Sequence, residues 1–287
     1  LWLRGSAGEI RAGLEGLIEA CGAVETRLGA LPLPGYTHLR RAMPSSVGDW
    51  VGAHRAALEE DRTDLEHAGR RLRFCPLGSG AGFGVPLDLP RAFVARRLGF
   101  EGPEEPVTAV QQGRGRAELA WLTALEGVAL DLGKLAADLW LFSSSEFGFV
   151  RLPLAFTTGS SLMPQKRNPD LLELVRAHCR QVIAERSALR DVLRDLPGGY
   201  HRDFQLLKPP LFRAHDRMAV LLPLMASFLP RLEWNREALQ RAACDPALQA
   251  TARVLERARS GQPFRDAYRE ESRRLGGGED PGPLQAR

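Results

Sequence analysis

The chain has 287 residues, of which 44% are hydrophobic and 26% are charged, and its formal net charge is +4. This composition is typical of an ordinary globular protein built from one large domain or two smaller ones. The basic residues are scattered along the sequence rather than clustered, so neither nucleic acid nor a membrane is expected as a partner.

The cysteines and lysines indicate which kinds of site the protein can contain. The four cysteines lie far apart and form no Cys-x-x-Cys pair, which is typical of reduced thiols in a cytoplasmic protein and favours neither a disulfide framework nor a zinc site: Cys21, Cys75, Cys179 and Cys244. Only three of the 39 lysines and arginines are lysines: Lys134, Lys166 and Lys208. Each lysine is informative in so arginine-rich a chain, because a compact ammonium fits a small pocket as a point charge.

Apolar residues recur at intervals of three or four along most of the chain. This pattern predicts an all-α fold, an elongated bundle of long helices joined by short connections. The long helices are predicted at 9–28, 45–73, 116–143, 169–196 and 208–228. The sequence shows no alternating strand pattern and no internal repeat.

Three features inside this pattern have a structural interpretation. The apolar stretch Leu119–Phe142 is interrupted by charged residues, so we interpret it as a bundle helix rather than a membrane span. Gly127 and Gly133 lie within it, where each glycine costs about 1 kcal/mol relative to alanine, and close approach of a neighbouring helix is the expected reason. The glycine-rich run Gly78–Gly84 follows no predicted strand and is interpreted as a flexible connection, not a dinucleotide-binding loop.

The composition changes near residue 242, which predicts three parts. Residues 1–242 form a central helical-bundle domain, and residues 243–275 form a small helical C-terminal domain. The second domain contains two short helices that are broken at Ser260–Pro263. Residues 276–287, rich in glycine and proline, are predicted to be a disordered tail.

The segment TTGSSLMPQKRNPDLLE, residues 157–173, combines groups that favour binding of an anion. Two serines follow a glycine, and Asn168 is predicted to cap a helix that has Pro169 at its first position and Asp170 in its first turn. Lys166 would precede a helix N-terminus, where the dipole favours negative charge. The pattern predicts an oxyanion or carboxylate site. A capped surface loop with a solvated lysine remains an equal alternative on spacing alone.

Two further polar segments are candidates, PGYTHLRRAMP at 34–44 and GGYHRDFQLLK at 198–208. A single histidine such as His38 is more often structural than catalytic. The second segment is typical of a helix-joining loop, although it ends in Lys208.

These segments carry a family resemblance. GSSLMPQKRNP resembles the signature loop of the fumarase/aspartase superfamily, and PGYTHLRRAMP, SSSEFGFV and GGYHRDFQLLK resemble its argininosuccinate lyase branch. The resemblance extends from residue 1 to about Leu275. It implies a homotetramer with active sites shared between subunits, located in the cytoplasm. It also implies cleavage of a small-molecule substrate, argininosuccinate, to arginine and fumarate by elimination, without a metal or an organic cofactor.

The resemblance also implies roles for individual residues. Ser160 matches the catalytic base, and Lys166 and Asn168 would hold the carboxylates on which negative charge builds up. His38 matches a histidine that pairs with Glu173, and a carboxylate beside an imidazole favours the protonated ring that assists departure of the guanidinium nitrogen. The matches to substrate contacts are Thr37, Tyr200, Gln205 and Lys208.

The chain departs from the family pattern at several places. Arg40 and Met43 stand where many members have glutamine, and either Arg114 or Arg116 takes the place of an arginine in the family's S-D-R-D loop. The family's N-terminal region with its S-R-N-D substrate loop has no match, and the chain starts without methionine in helical rhythm. We therefore expect an N-terminal segment to be missing and the chain as given to be incomplete for activity. Two alternatives remain open, a sister lyase such as adenylosuccinate lyase, which SEFGF and YHRDFQLLK disfavour, and an inactive structural paralogue.

Overall fold

The computed structural model describes residues 1–276. Five helices of 21 to 27 residues form the body of this part of the chain: α1 (Trp2–Leu28), α2 (Val47–Gly69), α5 (Arg116–Phe142), α6 (Asp170–Val192) and α7 (Lys208–Phe228). Helix α5 packs against α6, α2 and α7, and α1 packs against α2 and α7. The predicted all-α fold with a bundle of long helices is confirmed.

Local sequence explains where helix α2 begins and which face of helix α5 is buried. Ser46 caps α2, since its hydroxyl oxygen accepts a hydrogen bond from the backbone N–H of Asp49 at 3.0 Å. Helix α5 buries an apolar stripe that includes Trp121, Leu125 and Leu132, all fully buried in the main core. Burial of each such side chain contributes about 2 kcal/mol, so packing of this stripe outweighs the cost of the helix's two glycines.

Short elements connect the long helices. The remaining helices are α3 (Arg91–Arg97), α4 (Ala109–Gln112), α8 (Arg236–Ala243), α9 (Ala250–Arg259) and α10 (Phe264–Arg274). The strands are β1 (Pro32–Thr37), β2 (Arg40–Ser46), β3 (Phe74–Cys75), β4 (Gly102–Pro103), β5 (Val150–Arg151), β6 (Thr158–Gly159), β7 (Arg167–Asn168) and β8 (Glu233–Trp234). They pair in two-stranded sheets as β1–β2, β3–β4, β5–β8 and β6–β7, of which only β3–β4 is parallel.

The sequence did not predict these short strands, for a physical reason. Six of the eight strands in the described part have two residues, which is too short to show alternation. In the hairpin β1–β2, prolines and Gly35 interrupt the apolar pattern, and the register shifts between Gly35 and Tyr36.

The two glycines of α5 differ in their surroundings. A Cβ on Gly127 would lie 2.7 Å from Oδ1 of Asp61 on α2, so this position requires glycine or a shift of the carboxylate. A Cβ on Gly133 would lie 3.6 Å from Cβ of Cys179, which is an ordinary van der Waals contact. A neighbouring helix therefore lies close to both glycines, as expected, but only at Gly127 is the space too small for an added Cβ.

Asp61, which contacts Gly127, is a buried acid between α2 and α5. Its side chain is 6% exposed, and Oδ2 accepts no hydrogen bond from the described residues. Burial, reinforced by the negative charge of Asp131, raises its pKa from the ordinary 3.8 to about 7. A carboxyl in this position favours its neutral form.

The C-terminal part contains the two short helices predicted there. Helices α9 and α10 pack against each other on either side of a break at Ser260–Pro263. Glu271 on α10 is 2% exposed and accepts two hydrogen bonds from Arg253 on α9, at 2.8 and 2.6 Å. This ion pair lowers the pKa of Glu271. The division into domains at residues 242 and 275 stays a prediction, and the predicted tail lies almost wholly outside the described residues.

The cysteines form no disulfide in the described part of the chain. The four cysteines are free; Cys21, Cys75 and Cys179 are buried, and Cys244 is exposed. Burial raises the pKa values of the Cys21 and Cys179 thiols to about 12. Across residues 1–276, no helix combines the length and apolar character needed to cross a bilayer.

Candidate functional site

The segment 157–173 forms a hairpin that leads into α6. Strands β6 and β7 pair antiparallel, Thr158 with Asn168 and Gly159 with Arg167, and hold the loop 160–166 between them. Most of this loop is exposed to solvent. The fold therefore presents the loop at one end of the bundle, beside the start of a 23-residue helix.

Ser160 accepts two backbone hydrogen bonds within the loop. Its Oγ receives the N–H of Leu162 at 3.3 Å and the N–H of Met163 at 3.1 Å. Such hydroxyl-to-backbone contacts are common in turns, where they fix the backbone. They also stabilise negative charge on the oxygen, because donors aimed at one oxygen favour its charged form.

The start of α6 differs by one residue from the prediction. The helix begins at Asp170 with Pro169 at the N-cap and no side-chain cap, so Asn168 is not the cap. Instead, the Asn168 amide donates a weak hydrogen bond to the Thr158 hydroxyl at 3.5 Å, and that hydroxyl donates to Asp170. Cross-strand pairing with Thr158 keeps Asn168 in extended conformation, which takes it out of the capping position.

Lys166 lies just before this helix start and is exposed. Its backbone N–H closes a turn onto the Met163 carbonyl at 3.0 Å, whereas its ammonium bonds no other group among residues 1–276. The ammonium is therefore available to an anion at the hairpin.

Glu173 lies in the first turn of α6 and is also exposed. Its Oε1 accepts a hydrogen bond from Nε1 of Trp140 on α5 at 3.2 Å. The guanidinium carbon of Arg176 lies 4.5 Å from the centroid of the Trp140 ring. Within one chain Glu173 contacts Trp140 and not His38, the partner that the family resemblance implies.

Thr37 and His38 lie at the tip of the β1–β2 hairpin. Thr37 pairs with Arg40, and the two-residue turn between them has positive φ at both positions, 52° at His38 and 58° at Leu39. The tip is exposed, and Leu39 is 70% exposed. The hairpin leads into α2, whose first turns contact the end of α5 through Trp50 and Asp138, so it lies at the same end of the bundle as the Ser160 loop.

The other predicted substrate contacts form a connected group. Gln205 Nε2 donates to the Tyr200 hydroxyl at 3.2 Å, and Lys208 Nζ donates to Gln205 Oε1 at 3.4 Å. All three side chains are exposed. The structure thus brings Tyr200, Gln205 and Lys208 together at the start of α7.

A cavity of about 710 Å³ lies beside this group. Lys208, Arg114 and Arg116 all line it, and Arg114 lies 3.6 Å from Glu118 in an ion pair. Both arginines therefore remain candidates for the family's arginine position. Positive charge predominates in this wall, which favours a carboxylate-bearing ligand.

The two groups of residues lie at opposite ends of the bundle. Helices α5 and α6 run antiparallel, because Trp140 contacts Glu173 at one end and Gly115 packs against Leu193 at the other. At 1.5 Å per residue, the 23 residues of α6 separate these ends by roughly 35 Å. Ser160 and Lys208 of one chain therefore cannot contact the same small molecule.

Sequence reasoning missed Trp140 and Arg176. Trp140 is 33 residues from Glu173 in sequence and lies in an apolar helix, so the sequence predicts a core residue at this position. One sequence feature could have indicated Trp140. It lies within one turn of the end of α5, and from there its indole N–H can reach a neighbouring helix.

The sequence is similar to those of known lyases. The sequence profile of the lyase family matches residues 1–184. Proteins named argininosuccinate lyase from Sorangium cellulosum and Stenotrophomonas maltophilia are 47% and 44% identical over 239 residues, which is 83% of this chain and 55% of each relative. One from Thermotoga neapolitana is 40% identical over 261 residues, 91% of this chain and 64% of the relative. The chain thus spans little more than half the length of the first two relatives.

Solved structures show the same fold. An EDDS lyase in complex with formate superposes with a TM-score of 0.85 at 23% identity, covering 94% of this chain and 54% of that one. A fumarate lyase:delta crystallin from Brucella melitensis gives 0.79 at 24% identity, covering 96% and 62%. The resemblance stated from the motifs is confirmed, and the match to residues 1–184 shows that the chain belongs to the lyase family.

Proposed function

We propose that the protein cleaves argininosuccinate to arginine and fumarate by base-catalysed elimination. The proposal is supported by relatives of that name at 40–47% identity. The observation that carries it is the largely exposed hairpin loop, in which Ser160 receives two backbone donors and which also carries Lys166 just before the N-terminus of α6.

The reaction removes a proton from carbon and breaks a carbon–nitrogen bond. Ser160, as an alkoxide stabilised by the Leu162 and Met163 N–H groups, takes the proton next to a carboxylate. The electron pair passes through the aci-carboxylate, whose two negative oxygens Lys166 and Asn168 stabilise. It then forms the carbon–carbon double bond of fumarate as the C–N bond breaks.

Departure of the nitrogen requires a proton. In this proposal His38 supplies it to the guanidinium nitrogen of the leaving arginine, and Glu173 stabilises the protonated ring. Thr37, Tyr200, Gln205 and Lys208 bind the remaining polar groups of the substrate. Arginine and fumarate leave with atoms and charge balanced once Ser160 returns its proton to solvent and His38 is reprotonated.

The proposal requires self-association. Ser160 and Lys208 lie roughly 35 Å apart along α6, so one substrate reaches both only if they come from different copies. We infer a homotetramer that acts in the cytoplasm, with each active site assembled from several copies of the chain. In a closed symmetric assembly of identical copies, the Ser160 loop of each copy can face the Lys208 group of another.

The proposal is tested by the substitution Ser160→Ala. It is made in the full protein, including any residues before or after this chain. Ser161→Ala is the matched control, because it removes an adjacent exposed hydroxyl that accepts no backbone N–H. Fumarate release is followed by ultraviolet absorbance, and assembly by light scattering. Ser160→Ala should lower kcat by about a thousandfold or more with the assembly intact, and Ser161→Ala should change it less than about tenfold.

Three results would contradict the proposal at different levels. Turnover retained in Ser160→Ala would remove Ser160 from the role of base. Turnover of adenylosuccinate but not argininosuccinate by the unmodified protein would indicate the sister lyase. Intact assembly with neither activity would indicate a structural paralogue.

A further inference from the structure

We propose that Trp140, together with Arg176, is a positioning residue for the Glu173 carboxylate. The inference rests on the proposed function, because it concerns how Glu173 is held for its histidine partner. Trp140 contacts Glu173 directly, and Arg176 contacts Trp140, so both residues act on the carboxylate from within one chain.

The first observation is the hydrogen bond itself. Trp140 lies half-buried in the last turn of α5, and its indole N–H donates to Oε1 of Glu173 at 3.2 Å. No donor among residues 1–276 hydrogen-bonds Oε2. One carboxylate oxygen is therefore anchored, while the other has no donor within the described residues and can accept a hydrogen bond from an imidazole.

The anchor matters because Glu173 is otherwise exposed. A glutamate on a helix surface samples many rotamers, and ordering such a side chain costs roughly 1.5 kcal/mol or more. A preformed hydrogen bond reduces the ordering that remains when the imidazole arrives. The hydrogen bond from Trp140 is therefore expected to affect the geometry of the proposed Glu173–His38 pair rather than substrate binding.

The second observation concerns Arg176. It follows Glu173 by three residues on α6, a spacing at which opposite charges on a helix attract. Its guanidinium instead lies over the face of Trp140, 4.5 Å from the ring centroid, and makes no ion pair with Glu173 within 4.0 Å. The indole ring thus holds this cation in a cation–π contact instead of an ion pair with the carboxylate, which leaves the carboxylate able to pair with the protonated histidine.

These two effects can be separated by substitution. Trp140→Phe removes the N–H donor but keeps an aromatic face under Arg176. Trp140→Leu removes both, so that Arg176 can turn toward Glu173. We expect kcat to fall about tenfold in Trp140→Phe and further in Trp140→Leu, with KM changed less than about twofold in each.

Trp50→Phe is the matched control. Trp50 is also half-buried, lies at the same end of the bundle, and donates its indole N–H to Asp138 at 2.9 Å. The control therefore loses the same kind of hydrogen bond at a carboxylate outside the proposed site. Trp50→Phe should leave kcat within about twofold of the parent. It should lower the free energy of unfolding by about as much as Trp140→Phe does.

A second background distinguishes positioning from general damage. In Glu173→Gln the acid is gone, so Trp140→Phe should add less than about a twofold further loss of kcat if it acts through Glu173. Circular dichroism and light scattering establish that each variant folds and assembles like the parent. All measurements use the protein with any sequence beyond this chain.

The outcomes separate the two proposals. If the parent does not release fumarate from argininosuccinate, the proposed function fails and takes this inference with it. If the parent is active and Trp140→Phe matches Trp50→Phe in kcat, or lowers kcat equally with and without Glu173, the function stands and the positioning role of Trp140 is refuted.

Discussion

Asp61 is the group whose replacement gives the clearest prediction about stability. Its folded-state pKa is about 7, above the ordinary 3.8 expected when unfolded. Between these values the folded chain holds a proton that the unfolded chain has released, so stability falls as pH rises through that window and levels off above the folded-state pKa. The sign is opposite to that of a carboxylate in an ion pair.

The magnitude follows from the same two values. A gap of about three pH units at 1.36 kcal/mol each sets an upper limit of about 4 kcal/mol. Nearby polar groups and local relaxation reduce this figure, and we expect about 2 kcal/mol. Asp61→Asn preserves the shape of the side chain and removes the titration, so it should stabilise the protein by about 2 kcal/mol near pH 8, by less than half of that near pH 5, and by very little below pH 4.

The assay is urea unfolding followed by circular dichroism at several pH values. Glu66→Gln is the control, because it removes an exposed acid on the same helix whose charge is not among those that raise the pKa of Asp61, and it should change stability by less than about 0.5 kcal/mol at every pH. A difference between Asp61→Asn and the parent that stays constant with pH would refute the reasoning. So would a variant that is less stable than the parent near pH 8.

Two further predictions concern the glycines and the thiols. Gly133→Ala should stabilise the protein by about 0.5–1 kcal/mol, since its Cβ fits, whereas Gly127→Ala should destabilise it, since its Cβ would lie 2.7 Å from a carboxylate oxygen. Thermal unfolding of both variants checks this, and a Gly127→Ala variant as stable as Gly133→Ala would contradict it. In the folded protein a thiol reagent should modify Cys244 fast and the buried cysteines slowly, because burial raises the pKa values of Cys21 and Cys179 to about 12. Mass spectrometry of the labelled peptides measures the order, and early labelling of Cys21 would contradict the burial described here.

The long helices could be predicted because their periodicity is strong. The predicted 116–143 corresponds to the observed Arg116–Phe142, and 208–228 to Lys208–Phe228. The predicted 169–196 is shorter in the structure, ending at Val192. Helix ends depend on local hydrogen bonds that periodicity does not contain, as the cross-strand pairing of Asn168 illustrates.

The site was only partly predictable. The motifs name Ser160, Lys166 and Lys208, and the helix predicted at 169–196 already separates Lys208 from the other two, by roughly 35 Å in the structure, but the sequence does not show which residues of neighbouring helices contact them. The contact between Trp140 and Glu173 exists only once α5 and α6 pack antiparallel. Residues that support a site from a neighbouring helix carry no spacing signal, whereas a loop motif does.

The hairpin turn at His38 and Leu39 has a consequence for how this protein can evolve. Turns with positive φ at both central residues favour Asn-Gly, and a bulky residue there costs on the order of 1–2 kcal/mol. Replacing His-Leu by Asn-Gly would make a sturdier hairpin, and selection for robustness alone would move the sequence in that direction. In the proposed enzyme the same change would remove the proton donor, so stability and activity make opposing demands on these two residues.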